Sequence, residues 1–358
     1  MWQKGGEANV SSFFALGGFS LIQYELSLLG IDKSYGSLKA NDSIDLFVRK
    51  GSIHTIIGEN GAGKSTLMSI LSGVVKADSG EIRKNGELIH INSPNDAARY
   101  GIGMVYQEFM NFSELTALDN IIMGNEPLRF GCIDRKGARK KIAEICEKYN
   151  FKIFPDMYVK KMSVSMLQQL EIVKILYRNA DILILDEPTS VLTPQEIEGL
   201  FEALRSLRDK GKTIIIITHK LKEVLDIADE ITVLKSGKVS GRLKADEADE
   251  KKLARLMVGR EVLLNAQKTP HEVGDEVLKA EDLSIKDDKG IERVKNASFT
   301  VRAGEIVGIC GIAGSGENEL AAALTGMGGE IESGRIILCN KDITREKISV
   351  RRRIGMGY

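Results

Sequence analysis

The chain has 358 residues, with fifty basic and fifty acidic side chains that cancel, so no whole-molecule field exists to gather nucleic acid or an anionic surface. The length suffices for two domains with a large core. Four cysteines, Cys132, Cys146, Cys310 and Cys339, stand at no metal-ligand or redox spacing, which argues against a disulfide framework and fits a reducing, cytosolic setting.

In chain order, the first apolar stretch, residues 10–29, is interrupted by Gly17, Gly18, Gln23 and Glu25. It falls short of the roughly 20 mostly apolar residues that a membrane span needs, and it lacks the basic start and small-residue cleavage site of a secretory leader. Residues 1–23 therefore read as a flexible tail. A β-branched run at 53–57 leads directly into Gly58, Glu59, Asn60, Gly61, Ala62, Gly63, Lys64, Ser65 and Thr66, and then into a helical stretch through Leu71. A strand, this glycine loop and a helix in that order make a phosphate site. The glycines let backbone approach oxygen atoms that a side chain would repel, and the helix N-terminus offers amides to an anion. Lys64 is placed to reach β- and γ-phosphates, and Ser65 to put its hydroxyl on Mg²⁺. Tyr35, ahead of the loop, can stack on adenine or pack in the core. Gln107, in VYQEF, has a neutral amide able to sense metal and γ-phosphate.

The run ILILDEPTS ends a second strand at Asp186 and Glu187, at the carboxyl edge where open α/β sheets bind ligands. Asp186 can hold Mg²⁺ through water, and Glu187 can orient and deprotonate an attacking water. Thr193, Pro194 and Glu196 then spell a capped helix start, Ile197, Leu200, Phe201, Leu204 and Leu207 its apolar face, and Gly211 its stop. A third run, 214–217, ends at His219, where a ring nitrogen can meet a γ-phosphate or the water that attacks it. Short, β-branched and unalternating, the three runs are strands buried on both faces of a parallel sheet. Strand, helix and strand in this order make a layered α/β fold with a right-handed crossover.

An internal repeat organises the whole. Gly51 aligns with Gly304, Gly61 with Gly314 and Gly73 with Gly326, each pair 253 positions apart (304 − 51, 314 − 61, 326 − 73). IGMGY at 354–358 mirrors IGMVY at 102–106, so the second copy stops one position short of a counterpart to Gln107. The expected layout is a first copy over 24–262, a linker over 263–275 containing Pro270, and part of a second copy over 276–358.

Taken together, GENGAGKST, VYQEF, ILILDEPTSVLT and IIIITHK resemble, in order and spacing, the nucleotide-binding domain of ATP-binding-cassette transporters. The resemblance covers nearly all of the first copy and the start of the second. It implies a P-loop NTPase cassette with a mainly parallel core sheet, an antiparallel β part and a helical subdomain, followed by an incomplete second cassette. It makes Gly58 to Thr66 the Walker A loop, Gln107 the Q-loop, Asp186 the Walker B aspartate, Glu187 the catalytic glutamate, Ser190 to Thr193 the D-loop and His219 the switch histidine, with ATP and Mg²⁺ as ligands. Two cassettes without membrane helices look like importers of the ribose, galactose and nucleoside type. That likeness implies a subunit peripheral to the cytoplasmic side of the membrane, working with separate permease subunits and an extracytoplasmic substrate-binding protein, and not with nucleic acid. Homodimerisation of this chain is left open.

The sequence departs from the family at the signature motif, which reads Ser163, Val164, Ser165 and Met166, with only the serine kept from Ser-Gly-Gly-Gln. In the second glycine loop Glu317 stands where Lys64 stands, and a carboxylate repels phosphate; Asn318 replaces the hydroxyl of Ser65. Both halves of one composite site are thus altered, and the other site would need a second signature that this sequence does not contain. The chain alone is expected to bind Mg-ATP and hydrolyse it weakly. Two other classes fit less well. Soluble tandem cassettes that act on ribosomes carry an asparagine-histidine pair after DEPT and a long charged linker. A non-hydrolysing binding module would not need Lys64, Glu187 and His219.

Overall fold

The computed structural model describes residues 24–258, 272–287, 290–311 and 314–357. The chain divides into two compact units, one ending at Leu264 and the other beginning at Asn265. The expected tail, 1–23, and most of the expected linker, 263–271, lie outside the described residues.

The first unit opens with β1 (Tyr24–Tyr35), β2 (Leu38–Arg49) and β3 (Ile53–Ile57), then helix α1 (Lys64–Leu71), the hairpin β4 (Ser79–Lys84) and β5 (Glu87–Ile89), helix α2 (Pro94–Arg99) and strand β6 (Ile102–Val105). A mainly helical stretch follows, with α3 (Ala117–Ile122), the small hairpin β7 (Leu128–Arg129) and β8 (Cys132–Ile133), α4 (Arg135–Tyr149) and α5 (Val164–Tyr177). The chain then returns through β9 (Ile182–Asp186), α6 (Pro194–Asp209), β10 (Thr213–Thr218), α7 (Leu221–Ile227), β11 (Glu230–Lys235), β12 (Lys238–Lys244) and α8 (Glu250–Val258).

These strands make a six-stranded sheet in the order β12-β11-β3-β10-β9-β6 and a four-stranded antiparallel sheet in the order β2-β1-β4-β5. The pairs from β11 to β6 are parallel and only the edge strand β12 runs antiparallel. The three runs read from the sequence are its centre. Their alternate residues serve two cores. Leu183, Leu185, Ile214 and Ile216 pack with α5 and α6, whereas Ile182, Ile184, Ile215 and Ile217 pack with α1 and the antiparallel sheet. Burial on both faces is why the runs show no polar alternation. Helix α6 begins at the capping box of Thr193 and Glu196 and buries Leu200, Phe201, Leu204 and Leu207, with Ile197 only partly covered; each such side chain stabilises by about 1.5–3 kcal/mol relative to exposure.

The second unit contains β13 (Glu276–Lys286), β14 (Glu292–Arg302), α9 (Glu317–Thr325), β15 (Glu330–Leu338), β16 (Lys341–Asp342) and α10 (Ile348–Ile354). Its sheet order, β14-β13-β15-β16, is that of β2-β1-β4-β5. The counterpart of β3, residues 306–310, is not a strand, and Ile306 is 98 % exposed. Likewise Ile354, which the repeat matches with Ile102 of β6, ends helix α10. In the first unit β3 is laddered by β10 and β11, and β6 by β9; the second unit has no counterparts to those strands among the described residues. An apolar run without a ladder partner leaves its backbone groups to water and forms no strand.

Candidate functional site

The glycine loop leaves the carboxyl end of β3 and is held by neighbours that are distant in sequence. A Cβ on Gly58 would lie 2.4 Å from the Leu234 carbonyl oxygen and 2.9 Å from the Ala62 Cβ, so only glycine fits. Gly63 has φ 96° and ψ 5°, a conformation L side chains rarely adopt. A Cβ there would meet the Ala40 carbonyl oxygen at 2.2 Å and Asn41 Nδ2 at 2.7 Å. Asn41 Nδ2 donates to the Gly63 carbonyl at 3.0 Å. The turn between β11 and β12 adds a second tie, since the Gly237 amide donates to the Ala62 carbonyl at 3.2 Å and the Gly237 carbonyl accepts from the Asp42 amide at 2.8 Å.

No side chain caps the N-terminus of α1, so its first amides are available to an anion, with the helix dipole favouring negative charge there. Lys64 starts this helix and is 6 % exposed. Its Nζ donates to the Gly58 and Glu59 carbonyls at 2.7 and 2.9 Å, spanning the loop. Burial lowers its pKa, while the charges of Glu187 and Asp186 oppose that shift. Glu59, Asn60, Gly61 and Ser65 are exposed around the loop, Thr66 is half-buried and Ala62 is buried.

Parallel pairing sets Asp186 of β9 opposite Ile217 of β10. Burial and the adjacent Glu187 raise the Asp186 pKa, partly offset by Lys64 and by a hydrogen bond with the Ser65 side chain. Glu187 follows with φ 45°, its amide donating to the Ile217 carbonyl at 2.9 Å. A left-handed conformation at a residue with a long side chain costs about 1–3 kcal/mol and persists only where surrounding structure enforces it. Glu187 Oε1 lies 2.8 Å from His219 Nδ1. The fold therefore gathers Lys64, Ser65, Asp186, Glu187 and His219 at one sheet edge.

Gln107 is exposed two residues beyond β6, whose last residue, Val105, pairs with Leu185; its backbone thus sits at the same edge. Tyr35 ends β1 and is 48 % exposed, with Lys33 Nζ 5.6 Å from its ring centroid, so the core-packing alternative is overturned. Ser163 N-caps α5, its Oγ accepting from the Met166 amide at 3.3 Å. Ser163, Val164, Ser165 and Met166 open a helix packed on α3 and α4, and among the described residues no hydrogen bond joins them to the glycine loop. In the second unit Gly316 repeats the φ 96°, ψ 5° of Gly63 at the start of α9, and Glu317 follows with a buried Oε2 that has no hydrogen-bond partner among the described residues. The clamp by Ala40, Asn41 and Gly237 was not read from the sequence; only the Ser236–Gly237 pair carried a turn signal, with nothing to say what it touches.

These features fit a nucleoside triphosphate and a magnesium ion. The loop is a cradle that a Cβ would fill at two positions. Among the described residues no group of three or more His, Cys, Asp or Glu side chains assembles a metal site. A cation here would be held by the Ser65 hydroxyl, the Asp186 carboxylate, the Gln107 amide oxygen and phosphate oxygens, the sparse ligation that suits Mg²⁺.

The profile of the ABC transporter family matches residues 41–190 and 294–358, more than half of the chain. The nucleoside import ATP-binding protein NupA of Lactococcus lactis is 46% identical over 322 residues, covering 90% of this chain and 63% of that protein. The guanosine import ATP-binding protein NupO of Bacillus subtilis is 48% identical over the same length and coverage. The chain thus spans less than two thirds of the length of these two relatives. The crystal structure of the ADP conformation of MJ1267, an ATP-binding cassette of an ABC transporter, superposes with a TM-score of 0.58 at 26% identity, covering 66% of this chain and 99% of that one. Fold, loop geometry and these likenesses agree: the first unit is a P-loop NTPase cassette, and the chain belongs to the ABC transporter family.

Proposed function

We propose that this chain is an ATP-binding and ATP-hydrolysing subunit of an import system. It would power uptake of a nucleoside or a sugar through separate membrane permease subunits, supplied by an extracytoplasmic substrate-binding protein, from a peripheral position on the cytoplasmic side of the membrane. The observation that carries the reading is the contact between Glu187 and His219 beside Lys64 and Asp186. The nucleoside alternative draws support from NupA and NupO, and the sugar alternative from the ribose import ATP-binding protein RbsA 3 of Rubrobacter xylanophilus, 40% identical over 331 residues.

In this reading the α1 amides and Lys64 hold the β- and γ-phosphates, the polyphosphate supplying the counter-charge that burial withholds from the ammonium. Tyr35 offers its exposed ring to the base. Ser65, Asp186 and Gln107 would hold Mg²⁺, which when bound would neutralise charge on the phosphate oxygens. Glu187 accepts a proton from the attacking water, and His219 fixes the orientation of that carboxylate. With Nδ1 donating to Glu187, Nε2 can donate to a phosphate oxygen only as imidazolium.

A second, partial cassette over 276–358 is part of the proposal. It is supported by the shared strand order and by the matching geometry of Gly63 and Gly316. Glu317 would exclude phosphate from its loop. A Glu187→Gln variant tests the catalytic role. It should still bind Mg-ATP while phosphate release by the assembled importer drops about 10²–10⁴-fold. Unchanged phosphate release would overturn the reading, as would full ATP binding by Lys64→Ala.

A further inference from the structure

The small hairpin of β7 and β8 is built at a conformational cost. Leu128 pairs with Ile133 and Arg129 with Cys132, leaving Phe130 and Gly131 as a two-residue turn. Both have positive φ, 54° and 80°, which is the primed turn that asparagine-glycine fits best. A phenylalanine occupies the first position instead, and it is 95 % exposed. Leu128 beside it is 72 % exposed, and Ile133 is also exposed. The turn thus presents a large ring to solvent from a backbone that disfavours it.

The flanking charge is lopsided. Residues 129–141 hold six basic side chains, Arg129, Arg135, Lys136, Arg139, Lys140 and Lys141, against one acid, Asp134, a net +5 in a chain whose total is zero. Arg129 places its guanidinium 5.5 Å from the Phe130 ring centroid. Arg135 and Arg139 are paired with Asp119 and Asp156; Lys136 and Lys140 project from the exposed side of α4, opposite the face that buries Ala138 and Ile142, with Lys140 Nζ 3.9 Å from the exposed Glu144. An apolar tip that protrudes, with flexible cations behind it, matches an interface with an apolar layer under a sheet of anions.

We propose that the β7–β8 finger and the first turns of α4 contact an anionic lipid surface. Phe130 and Leu128 enter the boundary between headgroups and acyl chains, and the cations meet headgroup phosphates. This goes beyond the nucleotide chemistry and is tested without ATP, so its failure leaves that reading untouched.

The test is sedimentation of the full chain with vesicles of phosphatidylcholine mixed with phosphatidylglycerol, and with phosphatidylcholine alone. The chain should partition onto the mixed vesicles and be released by salt, because the charges act across a Debye length of about 10 Å at 0.1 M. Phe130→Asn suits the turn better than the native residue, so it should fold at least as well while losing about tenfold in partitioning. The Lys136→Gln and Lys140→Gln variants should each lose about fivefold. Equal affinity for neutral vesicles, or partitioning unchanged in Phe130→Asn, would overturn the proposal. So would retention on immobilised poly-glutamate with no vesicle binding, which would assign the patch to an acidic protein face.

Discussion

Gly61 and Gly63 both have positive φ, 81° and 96°, yet they differ in surroundings, and replacing each with alanine separates backbone strain from packing. A Cβ on Gly61 has nothing within 4 Å, so Gly61→Ala should cost only the left-handed conformation, about 1–2 kcal/mol. Gly63→Ala carries the same strain and also drives a Cβ into the Ala40 carbonyl at 2.2 Å. The loop must then withdraw from β2, breaking the Asn41 bond to the Gly63 carbonyl, worth about 1 kcal/mol net, and loosening the packing around it. The strain and the lost bond together come to about 2–3 kcal/mol, with the packing loss on top. Urea denaturation followed by circular dichroism reads the stability difference, and equilibrium binding of a fluorescent ATP analogue reads the site. Gly61→Asn should recover most of its loss, because asparagine tolerates this backbone region, whereas Gly63→Asn should recover nothing. Equal destabilisation by the two alanine variants would refute the clamp, since strain alone would then account for both.

Other outcomes follow from the same geometry. His219→Ala removes the 2.8 Å contact with Glu187 and should lower phosphate release by at least about 10²-fold with little change in ATP affinity; a large affinity loss would instead make His219 a binding residue. The raised pKa of Asp186 means that the native state holds its proton more tightly than the unfolded chain does, so this group's contribution to stability falls as pH rises through its native pKa. Asp186→Asn should therefore raise the melting temperature at neutral pH and abolish Mg²⁺-dependent ATP binding. That stability gain should shrink as pH falls through the raised native pKa and level off near pH 4, where the unfolded carboxyl also protonates, and a variant less stable than wild type at neutral pH would contradict the assignment. Glu196→Ala removes the carboxylate that accepts from both the Thr193 amide and its hydroxyl at 2.9 Å, and should cost about 1 kcal/mol by urea denaturation.

Much of the first unit was legible because its signals are local. The runs at 53–57, 182–185 and 214–217 are continuous and β-branched, and each became a central strand. The start of α6 was legible because a capping box spans only four residues. What escaped were features decided by partners far along the chain or by backbone geometry. Asn41 and Gly237 reach the glycine loop only after β2 and the β11–β12 turn have folded against it. The left-handed Glu187 cannot be foreseen, since its residue type gives no sign of it. Residues 306–310 are apolar and stand at the repeat position of β3, but strand formation depends on ladder neighbours and not on the run itself. The β7–β8 finger was invisible for the opposite reason: phenylalanine at a primed turn contradicts the residue preference from which turns are read.

The turn at Gly237 has a practical use. Its amide donates to the glycine loop at the Ala62 carbonyl, and its own carbonyl takes the Asp42 amide, although one amide follows β11 and the other lies in β2. A ligand that stiffens the loop should slow deuterium uptake at both amides together. Mass spectrometry of two peptides widely separated in sequence can therefore follow nucleotide loading without a dye, a label or a turnover assay.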